Sequence, residues 1–164
     1  REDGLFGQAE LTSCGLNGGP LAGEGYYPSC IACHLFTDRP VIYVGDSDKP
    51  EYVNGSFPKI VKEGWDGDQN EGYITNMYDQ CTAGFRYFDL SHVSEITLTI
   101  RGYAYGSMEI RTSFEGSAVK TIPLHYSNIW RDIKTEIKLP EGADSLYFTY
   151  RGPGSASFKG FTLK

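Results

Sequence analysis

Residues Glu95 to Tyr103 read EITLTIRGY, and the parity of this stretch decides the fold. Ile96, Leu98 and Ile100 point one way while Thr97, Thr99 and Arg101 point the other, the period-two signature of a strand with one buried face. The pattern recurs downstream. Met108, Ile110 and Thr112 alternate with Glu109, Arg111 and Ser113, and Glu115 with Gly116 supplies a turn into Val119 to Leu124. Ile133 and Ile137 alternate with Lys134, Glu136 and Lys138. Leu146, Phe148 and Tyr150 alternate with Tyr147, Thr149 and Arg151, and a last short strand runs through Phe158, Phe161 and Leu163. Strands at this even spacing, separated by Gly102, Gly106, Pro140, Gly142, Gly152, Pro153 and Gly154, predict an all-β chain folded as a two-sheet antiparallel β-sandwich of jelly-roll type. Ile96, Leu98, Ile100, Ile110, Ile133, Ile137, Leu146 and Phe148 are the expected interior.

Upstream the pattern is less regular. Gln8 to Ser13, Ile31 to Phe36 and Val41 to Val44 read as strands, whereas Gly15 to Pro28 and Asp46 to Asn54 have the composition of loops. No composition shift marks a boundary, so residues 1–164 are expected to form a single sandwich with an irregular, loop-rich N-terminal third. The 20 Gly, 8 Pro and 12 Tyr favour short strands and tight turns over packed helices. A net charge of -6 argues against nucleic acid or an anionic membrane surface as partner, because both are held by clusters of Lys and Arg. No apolar run approaches the roughly 20 residues that span a bilayer, and Arg1 to Phe6 lack a signal-peptide core. A chain opening on Arg1 reads as a fragment of a larger protein.

Chemistry-bearing groups are few. Cys14, Cys30, Cys33 and Cys81 permit two disulfides in any of three pairings in an exported protein. Cys30, Cys33 and His34 look like part of a zinc site but lack a second closely spaced pair. Asp66, Asp68, Asn70 and Glu71 resemble the start of a calcium loop without its later glutamate, and read as a solvated acidic turn. His34, His92 and His125 are scattered with no G-x-S-x-G nucleophile, and no pair among the 21 acidic residues stands out as a glycosidase couple. Asn54, Gly55 and Ser56 form a glycosylation sequon, meaningful in a eukaryotic protein. Aromatic rings near strand ends are another matter, since a flat ring stacks on the C–H face of a sugar. Trp130, at the entrance of a strand, and Tyr73, after the polar run 66–70, are the candidates by position, although each of Trp65 and Trp130 taken alone reads as a core anchor.

Several segments together resemble the family-6 carbohydrate-binding modules found C-terminal to family 43 glycoside hydrolases that act on xylan and arabinoxylan. They are Gly72 to Asn76, Ala83 to Phe88, Arg111 to Phe114, Ser127 to Trp130 and Leu146 to Gly154, with Gln8 to Leu21 similar to the stretch that follows the catalytic propeller in such enzymes. The resemblance implies a galactose-binding-domain-like jelly roll without catalysis of its own. It implies a binding site in the loops at one end of the sandwich, where a Tyr and a Trp grip one sugar and an Asn bonds it. Tyr73 matches the Tyr and Trp130 the Trp, Ser157 stands at the Asn position, and Asn128 lies in the same segment as Trp130. Many members also hold a structural calcium. Glu10 matches its first ligand, whereas Lys159 occupies the aspartate position, a cation where the family has an anion. The expected role is to target a covalently linked glycoside hydrolase, secreted or on a bacterial cell surface, to xylan-type plant cell-wall polysaccharide. The alternative is a structural accessory domain that packs on the catalytic domain and binds no sugar.

Overall fold

The computed structural model describes residues 11–12, 15–16, 19–38, 57–62 and 72–164. Two short strands, β1 (Leu11–Thr12) and β2 (Gly15–Leu16), pair with each other. They are followed by β3 (Gly25–Pro28), a 3-10 turn (Ser29–Ile31), β4 (His34–Phe36), β5 (Lys59–Val61), β6 (Tyr73–Met77) and β7 (Thr82–Arg86). The regular half contains β8 (Glu95–Gly102), β9 (Ser107–Arg111), β10 (Lys120–Pro123), β11 (Ser127–Glu136), β12 (Ser145–Arg151) and β13 (Ala156–Leu163). One sheet runs in the order β10-β9-β12-β7-β4; the other runs β11-β8-β13-β6-β5, with β3 also paired to β13. The ladders within both sheets are antiparallel. The expected two-sheet sandwich is therefore the observed one.

The parity of β8 is as the sequence predicts: Ile96, Leu98 and Ile100 are buried, and Thr97, Thr99 and Arg101 take the outer face. Ile110, Ile137, Leu146 and Phe148 are also buried, whereas Ile133 is only partly covered and packs against the edge of the core. The centre is aromatic. Phe85 and Phe148 from one sheet meet Phe158 and Phe161 from the other, with ring centroids 5.0 Å apart for Phe85–Phe161, Phe148–Phe158 and Phe148–Phe161.

Phe158 and Phe161 are three residues apart, so a regular strand would send one of them to solvent. The register explains how both stay inside: Phe158 pairs with Ile100 and Gly160 with the next residue, Thr99, so Lys159 is an extra residue in a bulge. Gly160 is required there, since a Cβ would sit 2.5 Å from the Tyr27 carbonyl oxygen.

Two upstream readings change. The stretch 15–28, which has loop composition, contains β2 and β3; β3 forms because the second half of β13 has a free edge that Tyr26 and Tyr27 complete. Tyr27 then packs edge-on against Phe88 at 4.9 Å, a tertiary gain that overrides local composition. The stretch 31–36, expected to be strand throughout, opens in the 3-10 turn and becomes strand at His34. Residues Val41 to Val44 lie outside the described residues. No helix among the described residues is long and apolar enough to cross a membrane.

Candidate functional site

Ile74 and Met77 of β6 are fully buried, which leaves Tyr73 and Thr75 on the outer face of the six-stranded sheet. Arg101 of β8 shares that face by the same parity. Trp130 reaches it through a bulge in the edge strand β11. Ser127 pairs with Gly102 and Arg131 with Ile100, so four residues of β11 are spent against two of β8, and the excess is looped out opposite Arg101. The buried Ser127 fixes this bulge, its hydroxyl donating to the Ile129 carbonyl at 2.6 Å and accepting from Arg131 Nε at 3.1 Å.

The outcome brings together two residues far apart in sequence. The Tyr73 and Trp130 rings meet edge to face, with centroids 5.1 Å apart and planes at 78°. The Arg101 guanidinium lies 4.2 Å from the Trp130 centroid and 5.2 Å from that of Tyr73, and Arg101 Nη2 donates to the Tyr73 hydroxyl at 3.2 Å. Lys159, turned outward by the β13 bulge, places its Nζ 5.7 Å from the Trp130 centroid. Ser157 pairs with Arg101 in register, and its hydroxyl lies 3.1 Å from that of Thr75. Asn128 is exposed within the β11 bulge. Thr99 donates to Asp132 Oδ1 at 2.6 Å one step along the same ladder.

Tyr73 and Trp130 are both strand residues on a sheet face, not loop residues at the end of the sandwich, and Trp130 is half-buried without being part of the core. Arg101 is the residue that sequence reading missed. Its outward parity was visible in EITLTIRGY; its partner across the bulge was not. Chemically the group offers two ring faces, hydroxyls, and two cations, the equipment for holding a polar ligand with an apolar face. Among the described residues, the pair of flanking carboxylates that a glycosidase needs is not part of it.

The other expectations separate clearly. Glu10, Cys14, Asn54 to Ser56, Trp65, Asp66, Asp68, Asn70 and Glu71 lie outside the described residues. Cys33 Sγ donates to the Gly84 carbonyl at 3.4 Å, and the His34 ring packs against Phe36 and Phe114 instead of joining the cysteines. Among the described residues no group of three or more His, Cys, Asp or Glu could hold a metal ion.

Comparison with known proteins places this geometry in context. No family model matches the chain. A xylosidase/arabinosidase of Thermoclostridium stercorarium is 46% identical over 162 residues; the match covers 99% of this chain and 34% of that protein. The chain thus spans about a third of the length of its curated relative. Among solved structures, CsCBM6-3 from Clostridium stercorarium in complex with cellobiose superposes with a TM-score of 0.66 at 11% identity, over 90% of this chain and 98% of the module. A family 6 carbohydrate-binding module from Clostridium cellulolyticum in complex with xylose gives a TM-score of 0.63 at 12% identity, over 87% and 98% of the two chains. A glycoside hydrolase family 43 arabinoxylan arabinofuranohydrolase from Bacillus subtilis gives 0.64 at 13% identity, over 96% of this chain and 33% of the enzyme.

Proposed function

We propose that this chain, whose fold is that of the family-6 carbohydrate-binding modules, is a non-catalytic module that holds a covalently linked glycoside hydrolase on plant cell-wall polysaccharide. The observation that carries the reading is the meeting of Tyr73 and Trp130 on one surface, joined by Arg101, Lys159 and Ser157. The ligand class is a neutral β-glycan of xylan or arabinoxylan type, in keeping with the xylosidase/arabinosidase relative. The setting is a secreted or surface-bound bacterial enzyme, since that is where such polysaccharide is met. Tethering raises the local concentration of substrate at the catalytic domain and leaves the chemical step untouched.

The residues also predict how tightly sugar is held. Arg101 lies over the Trp130 ring, so a sugar that stacks on the face it covers must displace the guanidinium, at a cost of about 0.5–1 kcal/mol for an exposed cation–π contact. Ser157 has one hydroxyl, already engaged with Thr75, where an amide would supply two donors and an acceptor. Arg101, with several N–H donors beside the ring pair, takes over the missing donor role. The affinity expected is therefore modest.

The second reading, an accessory domain that packs on the catalytic domain and binds no sugar, is favoured by this engagement of Ser157. Affinity electrophoresis in gels containing xylan, arabinoxylan or β-glucan separates the two. The proposal expects retardation in the xylan-type gels and no reducing sugar released by protein free of other hydrolases. Unretarded migration in every gel would leave the accessory-domain reading in its place.

A further inference from the structure

A second group of rings lies beside this surface and takes no part in it. Tyr103 and Tyr105, between β8 and β9, and Tyr126, just before β11, are 66%, 61% and 45% exposed. The Tyr103 and Tyr126 centroids are 5.0 Å apart; the Tyr105 and Tyr126 rings are parallel to within 12°, with centroids 6.4 Å apart. Burying a large ring is strongly favourable, so three phenols left together in solvent are a candidate binding surface.

These rings stand on a fixed support. The Tyr105 N–H points at both the Tyr150 hydroxyl, at 3.1 Å, and the Pro153 carbonyl, at 3.3 Å, and the Tyr150 hydroxyl donates to that same carbonyl at 2.5 Å. Ser155 N–H donates to the Tyr103 carbonyl at 3.2 Å and Leu124 N–H to the Gly106 carbonyl at 2.8 Å. The two loops approach so closely that a Cβ on Gly154 would lie 1.7 Å from the Tyr103 carbonyl oxygen. Little loop entropy is left to lose when a ligand arrives.

Their place along the sheet connects them to the first site. The ladder between β8 and β11 pairs Gly102 with Ser127; Tyr103 and Tyr126 follow immediately on one side of that pair, and Arg101 with the Trp130 bulge lies on the other. Two residues of strand, about 7 Å, separate Arg101 from Tyr103. We propose that Tyr103, Tyr105 and Tyr126 are a stacking platform for further sugar residues of the same glycan chain that occupies Tyr73 and Trp130. The proposal rests on the sugar-binding reading of that site.

The chemistry of the rings selects the occupant. A phenol offers a flat apolar face and one rim hydroxyl, matching the C–H face and hydroxyl rim of a pyranose. Electrostatic repulsion from Tyr103, followed by desolvation and a hydrogen bond with Tyr103, raises the Tyr126 pKa above its ordinary value, so the central ring of the group stays a neutral phenol at neutral pH. Among the described residues no cation stacks on any of the three. An uncharged glycan fits such a surface, and an anionic chain is disfavoured by the net charge of -6.

Chain length is the readout. Titration calorimetry with xylotriose, xylohexaose, cellotriose and cellohexaose is run on the parent, on Tyr103→Ala combined with Tyr105→Ala and Tyr126→Ala, and on the corresponding triple Phe variant. The parent should bind a hexaose more tightly than the matching triose. The triple Ala variant should lose roughly tenfold in hexaose affinity, stay within about twofold of the parent for the triose, and melt like the parent. The triple Phe variant keeps the ring faces and should keep most of the gain. Unchanged hexaose affinity in the triple Ala variant overturns the platform while leaving the Tyr73–Trp130 site standing. Equal losses for triose and hexaose overturn the extension, and so does unchanged sugar affinity accompanied by the loss of a concentration-dependent dimer. A parent that binds none of the four sugars overturns both this proposal and the function on which it rests.

Discussion

Two ring pairs in this molecule meet in almost the same way and stand in opposite surroundings. Phe85 and Phe148 in the core have centroids 5.5 Å apart and planes at 78°; Tyr73 and Trp130 on the outer face have centroids 5.1 Å apart and planes at 78°. Phe85 and Phe148 are 1% and 0% exposed and are closed in by Phe158 and Phe161. The outer pair is closed in by a guanidinium, an ammonium and hydroxyls. The edge-to-face contact alone therefore assigns no role, since it arises wherever aromatic quadrupoles pack. What surrounds the rings separates the two: apolar atoms on every side mean a contribution to folding, whereas polar groups around the outer pair are what the proposed sugar site requires.

The contrast is broken most directly by truncating each side and measuring stability. Phe161→Ala removes a fully buried ring at the meeting point of both sheets, and should cost about 3–5 kcal/mol of folding stability. At about 2–4 °C per kcal/mol for a chain of this size, calorimetry should show the melting temperature falling by roughly 6–20 °C. A fall of only a few degrees would mean that the core is looser than its geometry implies. The next largest effect is expected at Gly154, whose φ of +84° and closeness to the Tyr103 carbonyl leave no room for a Cβ. Gly154→Ala should lower stability by about 1–3 kcal/mol and should also disturb the tyrosine platform, visible as a lost preference for hexaose over triose. An unchanged melt would show that the two loops are free to separate.

How much of this contrast could be read from the sequence depends on what each residue's role rests upon. The parity of Ile96, Leu98 and Ile100 is legible because a sheet with one buried face imposes period two on every strand. Phe158 and Phe161 are legible as interior residues but not as one strand register, since only the pairing with β8 shows that Lys159 is the extra residue. β3 is hidden by its Gly and Pro neighbours because its strand character comes from the open edge of β13. The site divides in the same way. Tyr73 and Trp130 are found through likeness to a family, while their contact depends on the sheet order β11-β8-β13-β6 and on a bulge that no local pattern announces. Arg101 shows its outward face in the sequence and its partners only in three dimensions. Tyr103 and Tyr105, set between Gly102 and Gly106, carried a readable signal, a loop that alternates glycine limits with rings.

A smaller effect sharpens the comparison on the opposite face of the sandwich. Glu109 lies on the outer side of the five-stranded sheet and accepts from Arg111 Nη2 at 2.5 Å and from Arg151 Nε at 3.2 Å. Desolvation alone would raise its pKa; the two guanidinium hydrogen bonds and their charges outweigh that, and the net shift is downward from 4.5. A carboxylate whose folded pKa lies below its unfolded value stabilises the fold above the unfolded value and loses that contribution as pH falls through the folded one. Stability should therefore begin to fall as the pH drops through about 4.5 and continue falling below it. Glu109→Gln should flatten this part of the profile by about 1 kcal/mol or less, because the cluster is partly open to solvent. Sugar affinity at neutral pH should not change. An acid profile identical in parent and variant would place the responsible carboxylates elsewhere.

A small effect on stability beside a large effect on sugar affinity is expected at Trp130, and that makes it the most direct test of the central claim. Trp130→Ala removes a half-buried ring and its contacts with Tyr73, Arg101 and Lys159, each cation–π contact being worth about 0.5–1 kcal/mol at an exposed site, so its melting temperature should fall clearly less than that of Phe161→Ala. Titration of the same variant with xylohexaose should show affinity reduced roughly tenfold or more. A melt that falls as far as that of Phe161→Ala, or xylohexaose affinity equal to the parent's, would contradict the assignment of the Tyr73–Trp130 surface to sugar binding.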